Sequence, residues 1–177
     1  MASEVDHMLG ELPSVEDLRT KNKLTLVVFS GDMDRVLAAL ILATTAAAMG
    51  TEVTMFFTFW GLNVLKRKGA SRKGKGILRR MLNMMNNGTA GHLPLSRLNM
   101  FGLGPWMMKK LMKDSHLPSV EEMMKSARES GVKMIACSTS IGLMGLTKQD
   151  LVAEIDGIAG AATYLGAASE GCVNLFI

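Results

Sequence analysis

The residues best placed for chemistry are Lys133-Met134-Ile135-Ala136-Cys137, a short apolar run that ends in a thiol and is followed at once by Ser138-Thr139-Ser140. A run that is apolar on both faces is the pattern of a buried strand in a parallel sheet, and such sheets carry their ligand and catalytic groups at the carboxyl ends of the strands. Ser138, Thr139 and Ser140 are residues that open helices, so hydroxyl and backbone N–H donors there would face the sulfur and favour a thiolate. The competing reading is a buried structural cysteine, since free cysteine is among the most buried residue types.

Two further groups of residues bear on chemistry. Ser30-Gly31-Asp32 closes an earlier apolar run, but Ser30-Gly31-Asp32-Met33-Asp34 has neither G-x-G-x-x-G nor G-x-x-x-x-G-K-[ST]. Two aspartates would also repel phosphate, which disfavours a dinucleotide site or a P-loop. The second group is basic. From Val53 to Lys113 the chain has no acidic residue, while Lys66, Arg67, Lys68, Arg72, Lys73 and Lys75 stand close together. Such a field attracts anions or acidic partners, and the same composition also serves a solvated loop. Its lack of interleaved aromatics argues against nucleic acid.

The methionines do not make a copper site. Met81, Met84 and Met85 follow helical spacing without a His/Cys cluster, and Met107, Met108 and Met112 fall on an amphipathic helix, where methionine fills cores and interfaces. No metal and no cofactor is expected.

The elements that must position these residues follow from pattern. Lys23–Ser30 alternates β-branched and apolar residues and is expected as a strand; an Ala- and Leu-rich helix runs from Met33 to Met49 and stops at Gly50; Thr51–Phe59 is a second strand. This strand–helix–strand unit should cross over right-handed with parallel strands, which puts Ser30-Gly31-Asp32 at the same sheet edge as Cys137. Ser119 and Glu122 form a capping box that opens a helix ending near Gly131. A strand over Val132–Cys137, a small-residue helix over Ile158–Ser169 and a last strand over Cys172–Ile177 complete the order. Cys172 then begins a strand and lies at the opposite edge from Cys137. The fold class is α/β: a three-layer sandwich around an open, mostly parallel sheet of four or five strands.

The expected organisation is an N-terminal polar segment over 1–22 and a single domain over 23–177, with a basic, methionine-rich insertion at 66–104. Insertions of that length are usually functional or disordered. This one is expected to fold over the Cys137 site or a neighbouring subunit. The apolar tract Val36–Met49 is 14 residues long, short of the roughly 20 that span a bilayer. The opening residues show no signal-peptide pattern, and the two cysteines suit a reducing compartment, so the expected location is the cytoplasm.

Taken together, Phe29-Ser30-Gly31-Asp32, the segment from His92 through Gly102-Leu103-Gly104-Pro105-Trp106 to Lys110, the run Ile135-Ala136-Cys137-Ser138-Thr139-Ser140-Ile141-Gly142-Leu143-Met144-Gly145-Leu146, and the ending Ala162–Ile177 resemble the DsrE/DsrF-like family. They are closest to its sulfur-carrier branch, often described as peroxiredoxin-like. The resemblance covers nearly all of Lys23–Ile177 and implies a DsrE/F-like fold and a cytoplasmic sulfur-trafficking protein. Sulfane sulfur would be accepted as a persulfide on Cys137, in a sulfurtransferase-like manner, and relayed to a TusA-like carrier or a rhodanese. It also implies a homo-oligomer, a trimer or hexamer. On this reading Ser138, Thr139, Ser140, Gly31 and Asp32 shape the site, and the basic insertion steers an anionic low-molecular-weight sulfane donor. The alternative is a non-catalytic module that holds a phosphate-bearing ligand, a nucleotide or coenzyme A, through the insertion while Cys137 is inert.

Overall fold

The computed structural model describes residues 23–67 and 88–177; the polar segment 1–22 and residues 68–87 lie outside the described part. Five strands form one sheet in the order β4-β3-β2-β1-β5, and every neighbouring pair is parallel. They are β1 (Lys23–Val28), β2 (Glu52–Phe57), β3 (Lys133–Cys137), β4 (Gly157–Ala159) and β5 (Val173–Phe176). The helices are α1 (Met33–Ala48), α2 (Leu103–Asp114), α3 (Val120–Glu129), α4 (Ser138–Met144) and α5 (Ala161–Ser169). This is an α/β sandwich with an open parallel sheet, as the sequence pattern implies.

The β1–α1–β2 unit sets the core. Alternate residues Leu24, Leu26 and Val28 of β1, with Val53, Met55 and Phe57 of β2, face α1 and α3 and are almost wholly buried. Helix α1 answers with Val36, Ala39, Leu40 and Ala43, one stripe at helical spacing. Burying a side chain such as Leu40 contributes about 1.5–3 kcal/mol. Helix α3 begins at the expected capping box: the Ser119 hydroxyl accepts from Glu122 N–H, and the Glu122 carboxylate accepts from Ser119 N–H at 2.7 Å.

The other face is made differently. Strands β1 to β4 are added in one direction, whereas the β4–α5–β5 connection travels back across the sheet to the far side of β1. A right-handed crossover taken in the reverse direction places its helix on the opposite face. Helix α5 accordingly packs on the residues that β1 and β2 turn away from α1: Tyr164 lies 5.3 Å, ring to ring, from Phe56, and its hydroxyl is 3.4 Å from Thr25 Oγ1. This layer is thin. Leu165 and Phe176 are exposed, with Phe176 at 70 %.

One element differs from the pattern reading. The stretch expected as a helix from Ile158 is first a strand: Gly157–Ala159 pairs with Ile135–Cys137, and the helix starts only at Ala161. The chain directly after Cys137 is a helix, α4, as its Ser138–Ser140 opening suggests. In the described part of the insertion, Ala90, Leu93 and Leu95 pack on the main core, and the Pro94 carbonyl accepts from Met33 N–H at the start of α1.

Candidate functional site

Cys137 ends β3 and is also the residue that caps α4, with extended backbone (φ −70°, ψ 118°). The first N–H groups of a helix have no partner within it, so those of Thr139 and Ser140 are available to the sulfur. Strand alternation places Cys137 on the face that α5 covers, and its side chain is buried at 6 % exposure.

Two polar side chains meet beneath the thiol. Thr58, one residue past the end of β2, has its Oγ1 2.9 Å from Ser140 Oγ. Ser140 Oγ also accepts from Phe59 N–H at 3.2 Å, which leaves the serine hydrogen free to point elsewhere. Burial works against a charged sulfur here. The Ser140 N–H and hydroxyl, the Thr58 hydroxyl and the Thr139 N–H outweigh it, and the Cys137 thiol is held below the ordinary cysteine range. Its donors are all neutral. Phe59 adopts φ 45°, an unfavourable conformation for a bulky residue, and this turn is what delivers its N–H to Ser140.

Of the residues picked from sequence, Ser140 is the one whose side chain reaches the sulfur; Thr139 contributes its backbone, and the side chains of Ser138 and Thr139 are exposed. Gly31 and Asp32 stand at the same edge at the end of β1, two strands from β3, a lateral offset of about 10 Å. Gly31 is required by close approach, since a Cβ there would lie 2.7 Å from the Trp60 carbonyl oxygen. The Asp32 carboxylate accepts from the Ser30 hydroxyl at 2.8 Å and pairs with Arg35 at 3.8 Å.

The basic group is divided. Lys66 was expected in a solvated, anion-attracting loop and is instead buried at 7 % exposure, because residues 65–67 pair antiparallel with 150–152. Burial pushes its ammonium below the usual lysine range. Arg67 is exposed, and Lys68, Arg72, Lys73 and Lys75 lie outside the described residues. Cys172 is exposed and its N–H donates to the Lys23 carbonyl, at the amino edge of the sheet. Among the described residues no cluster of three or more His, Cys, Asp or Glu side chains is arranged to hold a metal. None of the described helices is long and apolar enough to cross a membrane.

Thr58 was not among the residues picked from sequence. It is 79 residues from Cys137 in the chain, and the available signal was positional: β2 neighbours β3, so the residue after β2 must stand beside the end of β3.

The fold is an open parallel α/β sandwich with a buried cysteine at a strand end. Residues 20–176 match the model of the DsrE/DsrF/DrsH-like family, and the chain belongs to that family. It is 43 % identical over 155 residues to the uncharacterized protein YrkE of Bacillus subtilis, covering 88 % of this chain and 96 % of that protein. It is 36 % identical over 160 residues to the sulfur carrier protein DsrE2 of Allochromatium vinosum, covering 89 % of this chain and 99 % of that protein. The solved structure of MTH1491, a protein of unknown function from Methanobacterium thermoautotrophicum, matches with a TM-score of 0.49 and 13 % identity, covering 88 % of this chain and 98 % of that one.

Proposed function

We propose that this protein carries sulfane sulfur as a persulfide on Cys137 and relays it to a carrier protein in sulfur metabolism. The observation that carries the reading is the thiol itself: a strand-end cysteine whose hydroxyl and N–H donors hold its pKa down in spite of burial. Likeness to a protein named as a sulfur carrier supports it.

The chemistry is thiol exchange without net redox. The Cys137 thiolate attacks the outer sulfur of a persulfide R–S–SH, a new Sγ–S bond forms, the donor S–S bond breaks, and its electron pair leaves on R–S⁻, which takes up a proton from solvent. Discharge is the same step run towards an acceptor thiolate. A thiol with pKa near ambient pH suits both directions, since it is ionised enough to attack and still nucleophilic.

The acceptor in this reading is a TusA-like carrier or a rhodanese, and the compartment is the cytoplasm, where thiols stay reduced. A homo-oligomer, a trimer or hexamer, accounts for the apolar side chains of Leu165 and Phe176 that α5 and β5 leave exposed.

Intact-mass spectrometry after incubation with inorganic polysulfide tests the function. Added sulfur is expected on wild type and on Cys172→Ser and is expected to vanish in Cys137→Ser. Unchanged mass in wild type would sink the proposal.

A further inference from the structure

Beside the end of β1, at the same sheet edge as Cys137, lies a cavity of about 240 Å³. Phe29, Trp60 and Pro94 form apolar walls, and the Asn63 side chain, itself buried at 5 % exposure, lines it. Asp32 and Arg35 also line it, paired at 3.8 Å, so one carboxylate and one guanidinium face the same small volume. Phe59 links this cavity to the thiol: its ring is 5.4 Å from that of Phe29, and its N–H donates to Ser140.

The lining limits what can enter. The volume is below the usual 300–1,000 Å³ of a small-molecule site, so the cavity takes one end of a molecule rather than the whole. No lysine lines it, and Asp32 disfavours phosphate. The paired charges instead match a group carrying both an amine, for Asp32, and a carboxylate, for Arg35. Cys137 is about 10 Å away by strand spacing, and a terminal residue joined through its side chain to a cysteinyl persulfide spans about the same length from its α-carbon to the outer sulfur. A free amino-acid thiol is too short to occupy the cavity and reach the sulfur.

We propose that this cavity is the subsite for one end of a low-molecular-weight peptidyl persulfide, a terminal residue joined through its side chain so that a free amine and a carboxylate sit on the same carbon, whose outer sulfur is thereby presented to Cys137. The inference rests on the persulfide-carrier reading and names its donor class. The transfer is the exchange written above, and the released thiol is the peptide that the cavity holds.

Glutathione persulfide and S-methylglutathione, which has no transferable sulfur, serve as probes against inorganic polysulfide. Loading of Cys137 by glutathione persulfide should saturate and be competed by S-methylglutathione, while loading by polysulfide should rise linearly. In a Cys137→Ser, Trp106→Phe protein, Trp60 fluorescence should report saturable binding of S-methylglutathione. Arg35→Glu, an exposed position, should weaken that binding and lower the ratio of glutathione-persulfide to polysulfide loading by about tenfold, the worth of one charge-assisted contact. If both donors load Cys137 but S-methylglutathione neither binds nor competes, the carrier reading stands and the subsite is overturned. If neither donor loads Cys137, the carrier reading falls and the donor assignment falls with it, whatever the cavity binds.

Discussion

Thr58 Oγ1 and Ser140 Oγ stand 2.9 Å apart and join the end of β2 to the first turn of α4 directly beneath the Cys137 thiol. Neither hydroxyl is charged, yet with the N–H groups of Ser140 and Thr139 they turn a buried sulfur towards the thiolate.

Removing one hydroxyl should therefore raise the Cys137 pKa. Ser140→Ala is expected to shift the midpoint of thiol alkylation upward in pH and to slow alkylation near pH 7 by about three- to tenfold, the net size of one typical hydrogen bond. Thr58→Val should move the midpoint in the same direction and by less, because it leaves the Ser140 donors in place. An unshifted midpoint in Ser140→Ala would remove the hydroxyl from the account of the thiol.

The lowered pKa also makes stability depend on pH. A thiol with a folded pKa below its unfolded value binds fewer protons in the folded state between the two, so stability rises with pH across that window. The advantage of wild type over Cys137→Ser should be fully present above about 9.0, the ordinary thiol value, and should be lost as pH falls through the folded pKa. Thermal midpoints of both proteins under reducing conditions measure it. A difference that shrinks as pH rises would reverse the sign and refute the lowered pKa.

Asp156 fixes the strand that follows the site. Its carboxylate accepts from Met134 N–H at 2.8 Å and pairs with Arg128 at 2.6 Å, tying the approach to β4 onto β3 and α3. Asp156→Ala should cost about 1–3 kcal/mol, a fall of roughly 2–10 °C in melting temperature for a chain of this size. Retention of the wild-type melting temperature would show that β4 is held by its ladder alone.

Gly31→Ala probes the packing at the other end of the same edge. The added methyl meets the Trp60 carbonyl at 2.7 Å and Asn63 Nδ2 at 3.1 Å, and the carbonyl belongs to backbone that cannot swing aside. A cost of about 1–3 kcal/mol is expected from overpacking, read by chemical denaturation. A variant as stable as wild type would mean that the Trp60 turn yields freely.

Much of this was legible in the sequence because local and global signals agree. In β1, α1, β2 and β3 the apolar pattern, the stop at Gly50 and the Ser119–Glu122 box all name the elements observed. Strand β4 was not legible: Gly157-Ile158-Ala159 has poor strand propensity and leads directly into a small-residue helix, so only pairing with Ile135–Cys137 makes it a strand. Lys66 departs from its pattern for the opposite reason. Its charge and basic neighbours suggest solvent, while a short antiparallel pairing with Leu151 buries it. Thr58 could be found only once the neighbours of β3 were known.

The reversal of chain direction that puts α5, alone among the described helices, on one face has a consequence for how a buried thiol is reached. Local opening follows the layer with the least apolar contact. On the α1 side two helices close over fully buried side chains, whereas nine residues of α5, none of them fully buried, guard the side that Cys137 faces. Amide exchange should thus be fastest in α5 and β5 and slowest in β1 and β2. Fluctuations of this weakest wall would open the sulfur to groups larger than the edge cavity admits, leaving the rest of the sheet closed, and a subunit seated on that wall would govern how often this second route opens.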